Sequence, residues 1–96
     1  MSLEFEWKPD KAATNLHKHK VSFQEAATVF ADETSATVYD PDHSDEEDRF
    51  LTIGYSNRRR LLIVSHTERD NRIRIISARL LKPSERRQYE QNWWSD

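Results

Sequence analysis

The sequence contains no cysteine and only one glycine among its 96 residues. Without cysteine, the chain can form neither a disulfide framework nor a thiolate metal site. No glycine-rich phosphate loop is present, so P-loop nucleotide hydrolysis is excluded. No apolar run approaches the length of a membrane span or resembles the core of a signal peptide. We therefore expect a single soluble, cytosolic domain that comprises residues 1–96.

Charge is distributed unevenly along the chain, although the net charge is only −2. Residues 1–48 carry four lysines and no arginine against twelve acidic residues, whereas residues 49–96 carry ten arginines and one lysine against five acidic residues. This asymmetry indicates an anionic partner for the second half of the chain. Mutual neutralisation of the two halves across the fold explains it equally well.

Hydrophobic periodicity predicts five strands and three helices. The predicted strands are residues 3–7, 35–40, 49–56, 60–68 and 72–80, and the helices are residues 9–19, 23–31 and 83–94. Short linkers between the last three strands are typical of an antiparallel meander. The β-α-α-β-β-β-β-α order predicts an α+β domain in which the helices pack against an antiparallel sheet.

Local signals support the helix starts. Pro9 and Pro83 each suit the first helical position, and Ser22 with Glu25 matches a capping box. The acidic segment 40–48 is predicted to be an exposed loop, because it lacks the spacing and the glycine of an EF-hand calcium site.

The last predicted strand combines isoleucine with arginine. Strand alternation predicts that one face of it carries Ile73, Ile75, Ser77 and Arg79. Arg79 ends this apolar face, where an unpaired charge is costly. Two interpretations remain open: a structural arginine paired with a carboxylate such as Glu85 or Glu4, or an anion-binding group at the edge of the sheet.

Other candidate groups also have two interpretations. Arg58, Arg59 and Arg60 form a predicted turn, which either aids solubility or contacts phosphate through guanidinium groups. His19 is either a half-buried helix-end residue or a proton-transfer group. His17 and His19 point apart on a helix, so the histidine spacing does not favour a metal site.

RNA cleavage is compatible with this set of residues. RNA carries its own nucleophile, the 2′-OH, and its cleavage needs only a base, an acid and a cation for the pentacovalent phosphate. Histidine, glutamate, tyrosine and arginine can supply these functions without a metal or a cofactor. Plain binding of an anion would need the same residue types.

Over residues 4–90, the sequence resembles the BrnT family of toxins from bacterial type II toxin–antitoxin systems. The segments that carry the resemblance are FEW (5–7), Lys11, NLHKHKVSFQEAATVFAD (15–32), DRFLTIGYS (48–56), RLLIVSHTER (60–69), RIRIISAR (72–79) and ERRQYE (85–90). The resemblance implies a compact α+β fold similar to that of RelE-type ribonuclease toxins. It also implies that the chain cleaves RNA and thereby inhibits translation.

The resemblance further implies a partner, an antitoxin of the BrnA type with a ribbon-helix-helix DNA-binding part. The expected complex contains two copies of each protein and binds operator DNA only through the antitoxin. Trp93 and Trp94 either mark an interface or pack back onto the domain.

Roles for individual residues follow from the resemblance as hypotheses. Arg79 would stabilise the phosphorane with help from Arg69. His19 or Glu68 would accept the 2′-OH proton, and His19 or Tyr89 would serve the leaving oxygen. A sequence-independent hold on the RNA backbone would come from Lys18, Lys20, Arg58, Arg59 and Arg60.

The sequence departs from the family pattern at four positions. Lys20 and Arg59 stand where glycine is usual, Lys8 where aspartate is usual, and Lys82 where threonine is usual. These changes affect helix caps and turns. An alternative function is therefore a catalytically inactive binding module that only co-represses transcription with a DNA-binding partner.

Overall fold

The structure is a computed structural model, which describes residues 3–91. Its strands are β1 (Phe5–Glu6), β2 (Ala36–Tyr39), β3 (Phe50–Tyr55), β4 (Leu61–Arg69) and β5 (Arg72–Leu80). Its helices are α1 (Pro9–His19), α2 (Phe23–Thr28) and α3 (Pro83–Glu90), and short 3-10 turns cover Val29–Ala31 and Pro41–His43. The predicted order of elements is confirmed. Trp93, Trp94 and the predicted end of the last helix lie outside the described residues.

The five strands form one sheet in the order β1-β5-β4-β3-β2. Strands β2 to β5 form the predicted antiparallel meander, but β1 pairs in parallel with β5 through Phe5 opposite Ile73 and Glu6 opposite Arg74. The prediction of an entirely antiparallel sheet was therefore wrong. The segment with α1 and α2 carries the chain from β1 at one edge of the sheet to β2 at the other edge, and the meander then returns to β5 beside β1.

The first face of the sheet, which carries Val64, His66, Ile75 and Ala78, holds the main core. Helices α1 and α2 cover this face, and the largest buried side chains include Phe23, Leu62 and Ile75. The amide of Asn15 attaches α1 to β5, since its Nδ2 donates to the Ala78 carbonyl at 2.9 Å and its Oδ1 accepts from the Ala78 N–H at 3.1 Å.

The second face of the sheet is covered only in part. A smaller core forms where α3 packs on Ile53, Leu61 and Ile63 through the buried ring of Tyr89. Within residues 3–91, α3 covers one end of this face and leaves the middle strands open beside it. The two-sided sheet therefore has one closed face and one face with accessible side chains.

A bulge in β5 changes which side chains share a face. Ser65 pairs with Ser77 and the next residue, His66, pairs with Ile75, so Ile76 is an extra residue in the ladder. An extra residue reverses the alternation beyond it. Arg79 pairs with Ile63 and lies on the second face. The prediction that Arg79 shares a face with Ile73 and Ile75 was therefore wrong.

Within residues 3–91, four residues other than glycine have positive φ angles, namely Lys20, Arg59, Asp70 and Asn71. Lys20 and Arg59 have φ of 59° and 60°, at two of the positions where the family resemblance led us to expect glycine. A side chain in this left-handed region is strained, and glycine relieves the strain at some cost in unfolded-state entropy.

Arg59→Gly is expected to raise the free energy of unfolding by about 0.5–1 kcal/mol, because the left-handed conformation costs glycine nothing. Urea denaturation at neutral pH measures this change. The matched control is Arg58→Gly in the same turn, where φ is not positive and no gain is expected. Equal gains from both substitutions would contradict the strain argument.

Candidate active site

An open groove of about 290 Å³ lies on the second face beside α3. Its walls include Asp40, His43, Leu51, Ser65, Ser77 and Arg79. Ser65 and Ser77 are opposite each other in the ladder, and Arg79 points to the same side two pairs further along. We name this site the Arg79 groove. It combines a guanidinium group, an imidazole and two hydroxyls on a surface that solvent reaches.

Arg79 is held by a bidentate pair with Glu85 at the start of α3. Its Nη1 donates to Glu85 Oε1 at 2.8 Å and its Nη2 to Oε2 at 3.0 Å, and Nη1 also donates to the Leu80 carbonyl at 3.2 Å. Hydrogen bonds from Arg79, with a further one from the Lys82 N–H, lower the pKa of Glu85 to about 2. Of the five guanidinium N–H groups, two have no partner among residues 3–91 and can bind a phosphate oxygen.

His43 forms a pair with Asp40 at the opposite wall of the groove. Its Nδ1 lies 2.8 Å from Asp40 Oδ2, and a carboxylate can only accept, so Nδ1 carries the proton. The Asp40 side chain is 12% exposed and that of His43 is 67% exposed. His43 Nε2 makes no hydrogen bond among residues 3–91, which leaves it available to a ligand in the groove.

A second groove, which we name the cationic groove, lies at the far end of the sheet and measures about 500 Å³. The charged residues along it are Lys8, Lys11, Glu47, Arg49, Arg69 and Arg74. Arg69 is paired with Glu47 at 2.8 Å, and Arg74 with Glu6 at 2.9 Å. Five cations against one carboxylate make this surface attractive to a polyanion.

The comparisons with known proteins agree with this architecture. A family model described as "Ribonuclease toxin, BrnT, of type II toxin-antitoxin system" matches residues 7–85. The chain belongs to the BrnT family. A crystal structure of the Brucella abortus ribonuclease toxin BrnT is similar, with a TM-score of 0.62 and 20% sequence identity. The match covers 84% of this chain and 99% of that one. No curated protein sequence matches.

Family membership confirms the predicted class. The chain is a BrnT ribonuclease toxin of a type II toxin–antitoxin system, which implies an RNA substrate and an antitoxin partner. At 20% identity, the likeness to the Brucella protein establishes the shared fold. Across residues 3–91, no helix is both long and apolar enough to cross a lipid bilayer.

This BrnT structure separates the predicted catalytic residues. Arg79 lies on the second face, whereas α1, with half-buried His19 in its last turn, packs on the first face. Glu68 pairs with Ile73 and is exposed on the first-face side at the far end of β4. The sheet therefore stands between Arg79 and both of the residues predicted to accept the 2′-OH proton.

Arg69 shares the second face with Arg79 but not the same end of it. Arg69 pairs with Arg72, and Arg79 pairs with Ile63, which lies six residues from Arg69 along β4. At about 3.3 Å per residue, the two backbones are roughly 20 Å apart. Arg69 lines the cationic groove, and its help to Arg79 at a single phosphate stays a prediction.

Tyr89 is the most enclosed of the predicted catalytic residues in this BrnT chain. Its side chain is buried, its hydroxyl donates to the Thr34 carbonyl at 2.9 Å, and its ring packs edge-on against Tyr55. These contacts attach α3 to the loop before β2. Its position indicates a structural role in addition to the catalytic one that the sequence predicts.

The residues predicted to hold RNA meet near the end of α1. Arg60 donates from Nε to Glu25 at 2.9 Å and from Nη2 to the Lys20 carbonyl at 3.0 Å, so its guanidinium is committed to the fold. Arg58 is exposed, with its Nη1 3.7 Å from Glu25. Arg59 and Lys20 are exposed and make no side-chain hydrogen bond or ion pair in the described part of the chain.

Lys18 lies away from these residues, along a groove between α1 and the open edge of β5. It shares that groove with Asn15 and Ser77, which places it near the edge that separates the two faces of the sheet. Of the predicted RNA-binding residues, four therefore cluster around the turn 56–60, and Lys18 stands apart.

The sequence analysis missed His43 and Asp40 as functional candidates, because the acidic segment was interpreted as a solvated loop. Asp40 instead starts a short 3-10 turn, where its Oδ1 accepts from the Asp42 N–H at 3.2 Å. The order Asp-Pro-Asp-His is the signal that was available. Aspartate caps such a turn, proline suits its first position, and the histidine three residues on returns beside the carboxylate.

Proposed function

We propose that this chain is a metal-independent endoribonuclease toxin that cleaves RNA by attack of the 2′-OH on the adjacent phosphate and so inhibits translation. The observation that supports the proposal is the placement of Arg79 on the open second face, beside a histidine–aspartate pair. A guanidinium group at that point can stabilise the negative charge that develops on the phosphorane. Such chemistry requires proton transfer and charge stabilisation, and protein side chains supply both.

Arg79 has the central role in this proposal. Its pair with Glu85 fixes the plane of the guanidinium group and leaves two N–H groups for the phosphate oxygens. The remaining predicted residues, His19, Glu68 and Tyr89, keep their proposed proton-transfer roles as hypotheses that single substitutions can test. Arg69 keeps its proposed role of helping Arg79. Lys18, Lys20, Arg58, Arg59 and Arg60 are proposed to hold the RNA backbone by charge, which depends on salt concentration.

A BrnA-like antitoxin with a ribbon-helix-helix part is the proposed partner. We further propose a complex with two copies of each protein in the cytoplasm, and contact with operator DNA only through the antitoxin. The family description supports an antitoxin in general terms. The RelE-like character of the fold is part of the same proposal. The feature to compare with RelE-type toxins is the mixed sheet with helices on both faces.

Arg79→Ala is expected to lower the rate of RNA cleavage by about 10²–10³-fold, the usual loss when one preorganised charge-stabilising donor is removed. The measurement is cleavage of purified RNA in EDTA, together with growth and total RNA integrity after induction in a bacterial host. Co-expression of the antitoxin should restore growth of the wild-type strain.

The matched control is Arg72→Ala, a more exposed arginine of the same strand that lies 3.7 Å from Glu6. It should retain nearly full activity, and circular dichroism should show both variants folded. A folded Arg79→Ala that still cleaves RNA at the wild-type rate would remove Arg79 from the mechanism. A folded wild type that neither cleaves RNA nor arrests growth would favour the inactive co-repressor instead.

A further inference from the structure

We propose that His43, oriented by Asp40, is the general base of the cleavage reaction in the Arg79 groove. This inference rests on the proposed endoribonuclease function and adds a catalytic residue to it. His19 and Arg79 lie on opposite sides of the sheet, because α1 packs on the first face and Arg79 lies on the second. A base that acts on the same phosphate must reach the groove from the second face.

The backbone around His43 holds the imidazole in a defined position. Asp40 is anchored to the start of β3 by its N–H, which donates to the Arg49 carbonyl at 2.9 Å. Ser44 closes the loop behind His43, because its hydroxyl accepts from the Arg49 N–H at 2.9 Å and donates to the Asp40 carbonyl. The turn that carries the Asp40–His43 pair is therefore attached at both ends to Arg49, the residue before β3.

The state of the two ring nitrogens suits a general base. Nδ1–H donates to Asp40 Oδ2 at 2.8 Å, so Nε2 carries the lone pair in the neutral imidazole. When Nε2 accepts a proton, the adjacent carboxylate stabilises the imidazolium and keeps the ring in the same orientation. The exposed position of the ring lets Nε2 reach a substrate that occupies the groove.

The groove brings this base to the same site as the charge-stabilising group. His43 and Arg79 form part of one concave surface, whose lining also includes Ser65 and Ser77. Its volume of about 290 Å³ fits a phosphate with the adjoining sugar rather than a folded RNA element. Seated there, a phosphodiester can present its 2′-OH to His43 and its non-bridging oxygens to Arg79.

The step balances with water as the only other reactant. His43 Nε2 takes the 2′-OH proton as the 2′-oxygen forms a bond to phosphorus. The bond between phosphorus and the 5′-oxygen then breaks, and the leaving oxygen takes a proton from water in the open groove. The products are a 2′,3′-cyclic phosphate and a 5′-hydroxyl, and the imidazolium returns its proton to solvent.

The charges around His43 come from four parts of the fold. Its own loop contributes Asp42, Asp45, Glu46 and Glu47. The adjoining strands contribute Arg49 at the start of β3, Arg69 of β4 and Arg79 of β5. Because carboxylates and guanidinium groups both surround the ring, the test compares variants of one protein.

The experiment measures single-turnover cleavage of RNA by the full chain between pH 5 and pH 8. His43→Ala should lower the rate by about 10²–10⁴-fold and abolish the fall in rate at low pH that an unprotonated base requires. Added imidazole should restore part of this rate in proportion to its concentration, because the removed side chain was exposed to solvent. Asp40→Asn retains a capping oxygen and should lower the rate by at least about tenfold.

The matched control is His17→Ala, which removes an exposed histidine of α1 and should leave the rate and the pH profile unchanged. A wild type that cleaves RNA alongside an equally active His43→Ala overturns the inference and leaves the proposed function intact. A His43→Ala variant that is slow, keeps the wild-type pH profile and is not rescued by imidazole would also overturn the inference, because it would indicate a structural role for His43. A folded wild type without cleavage overturns the proposed function and this inference together.

Discussion

Glu25→Ala is expected to destabilise the folded chain by about 3–5 kcal/mol, which is typical when one member of a buried ion pair is removed. The Glu25 side chain is 4% exposed and accepts hydrogen bonds from Arg60 and from the Ser56 hydroxyl, the latter at 2.6 Å. These bonds, above all those from Arg60, lower the pKa of Glu25 against the opposing effect of burial. Alanine would leave a partly buried guanidinium without its carboxylate.

Urea denaturation at pH 7 provides the measurement. The slope of unfolding free energy against urea concentration should be the same in the variant and the wild type if both expose the same surface on unfolding. Glu90→Ala is the matched control, because its pair with Arg86 on α3 is exposed and should contribute less than about 1 kcal/mol. Arg60→Ala combined with Glu25→Ala completes a double-mutant cycle that isolates the coupling between the two charges. A loss from Glu25→Ala no larger than that from Glu90→Ala would refute the argument.

The free energy of unfolding is expected to fall at low pH because of the buried His66. The ring is buried between Phe30 and Phe50, and its Nε2 lies 2.7 Å from the Thr52 hydroxyl oxygen. Burial lowers its pKa from 6.5 to about 4. Below pH 6.5 the unfolded chain gains a proton at this position that the folded chain does not accept. The free energy of unfolding should therefore fall by about 3 kcal/mol between pH 6.5 and pH 4.

His66→Phe is designed to remove this titration and retain the aromatic packing. Unfolding curves at pH 7, 6 and 5 should show a smaller decline for the variant than for the wild type, by about 2 kcal/mol at pH 5. The interval stops at pH 5 because Glu25, Asp32 and Glu85 have lowered pKa values, and stability is lost below their unfolded-state pKa values as those carboxylates protonate. Parallel declines in the two proteins would show that His66 is not the responsible group.

Much of the local structure was predictable from the sequence. The last strand was predicted at residues 72–80 and is observed as Arg72–Leu80. Glu85 was one of two carboxylates proposed as the partner of Arg79, and it is the observed partner. Both results depend on interactions between residues that are near one another in the sequence, where periodicity and helix-start signals are informative.

Predictions that depended on distant contacts were less successful. The capping box at α2 is only half present: Ser22 Oγ accepts from the Glu25 N–H at 3.0 Å, but the Glu25 carboxylate pairs with Arg60, 35 residues away. The parallel pairing of β1 with β5 joins the two ends of the chain and has no local signal. His43 was overlooked for the same reason, because only the folded sheet brings residue 43 to the groove that contains residue 79.

The extra residue in β5 makes the geometry of the Arg79 groove depend on the number of residues in this strand. Because Ile76 has no partner of its own in the ladder, every side chain after it lies on the opposite face from the one that uniform alternation would give. The number of residues between Ile75 and Arg79 therefore decides on which face Arg79 lies, and the identity of those residues matters less. Substitutions within this interval are expected to keep the guanidinium in the groove, whereas deletion of one residue would point the Arg79 side chain towards the hydrophobic core.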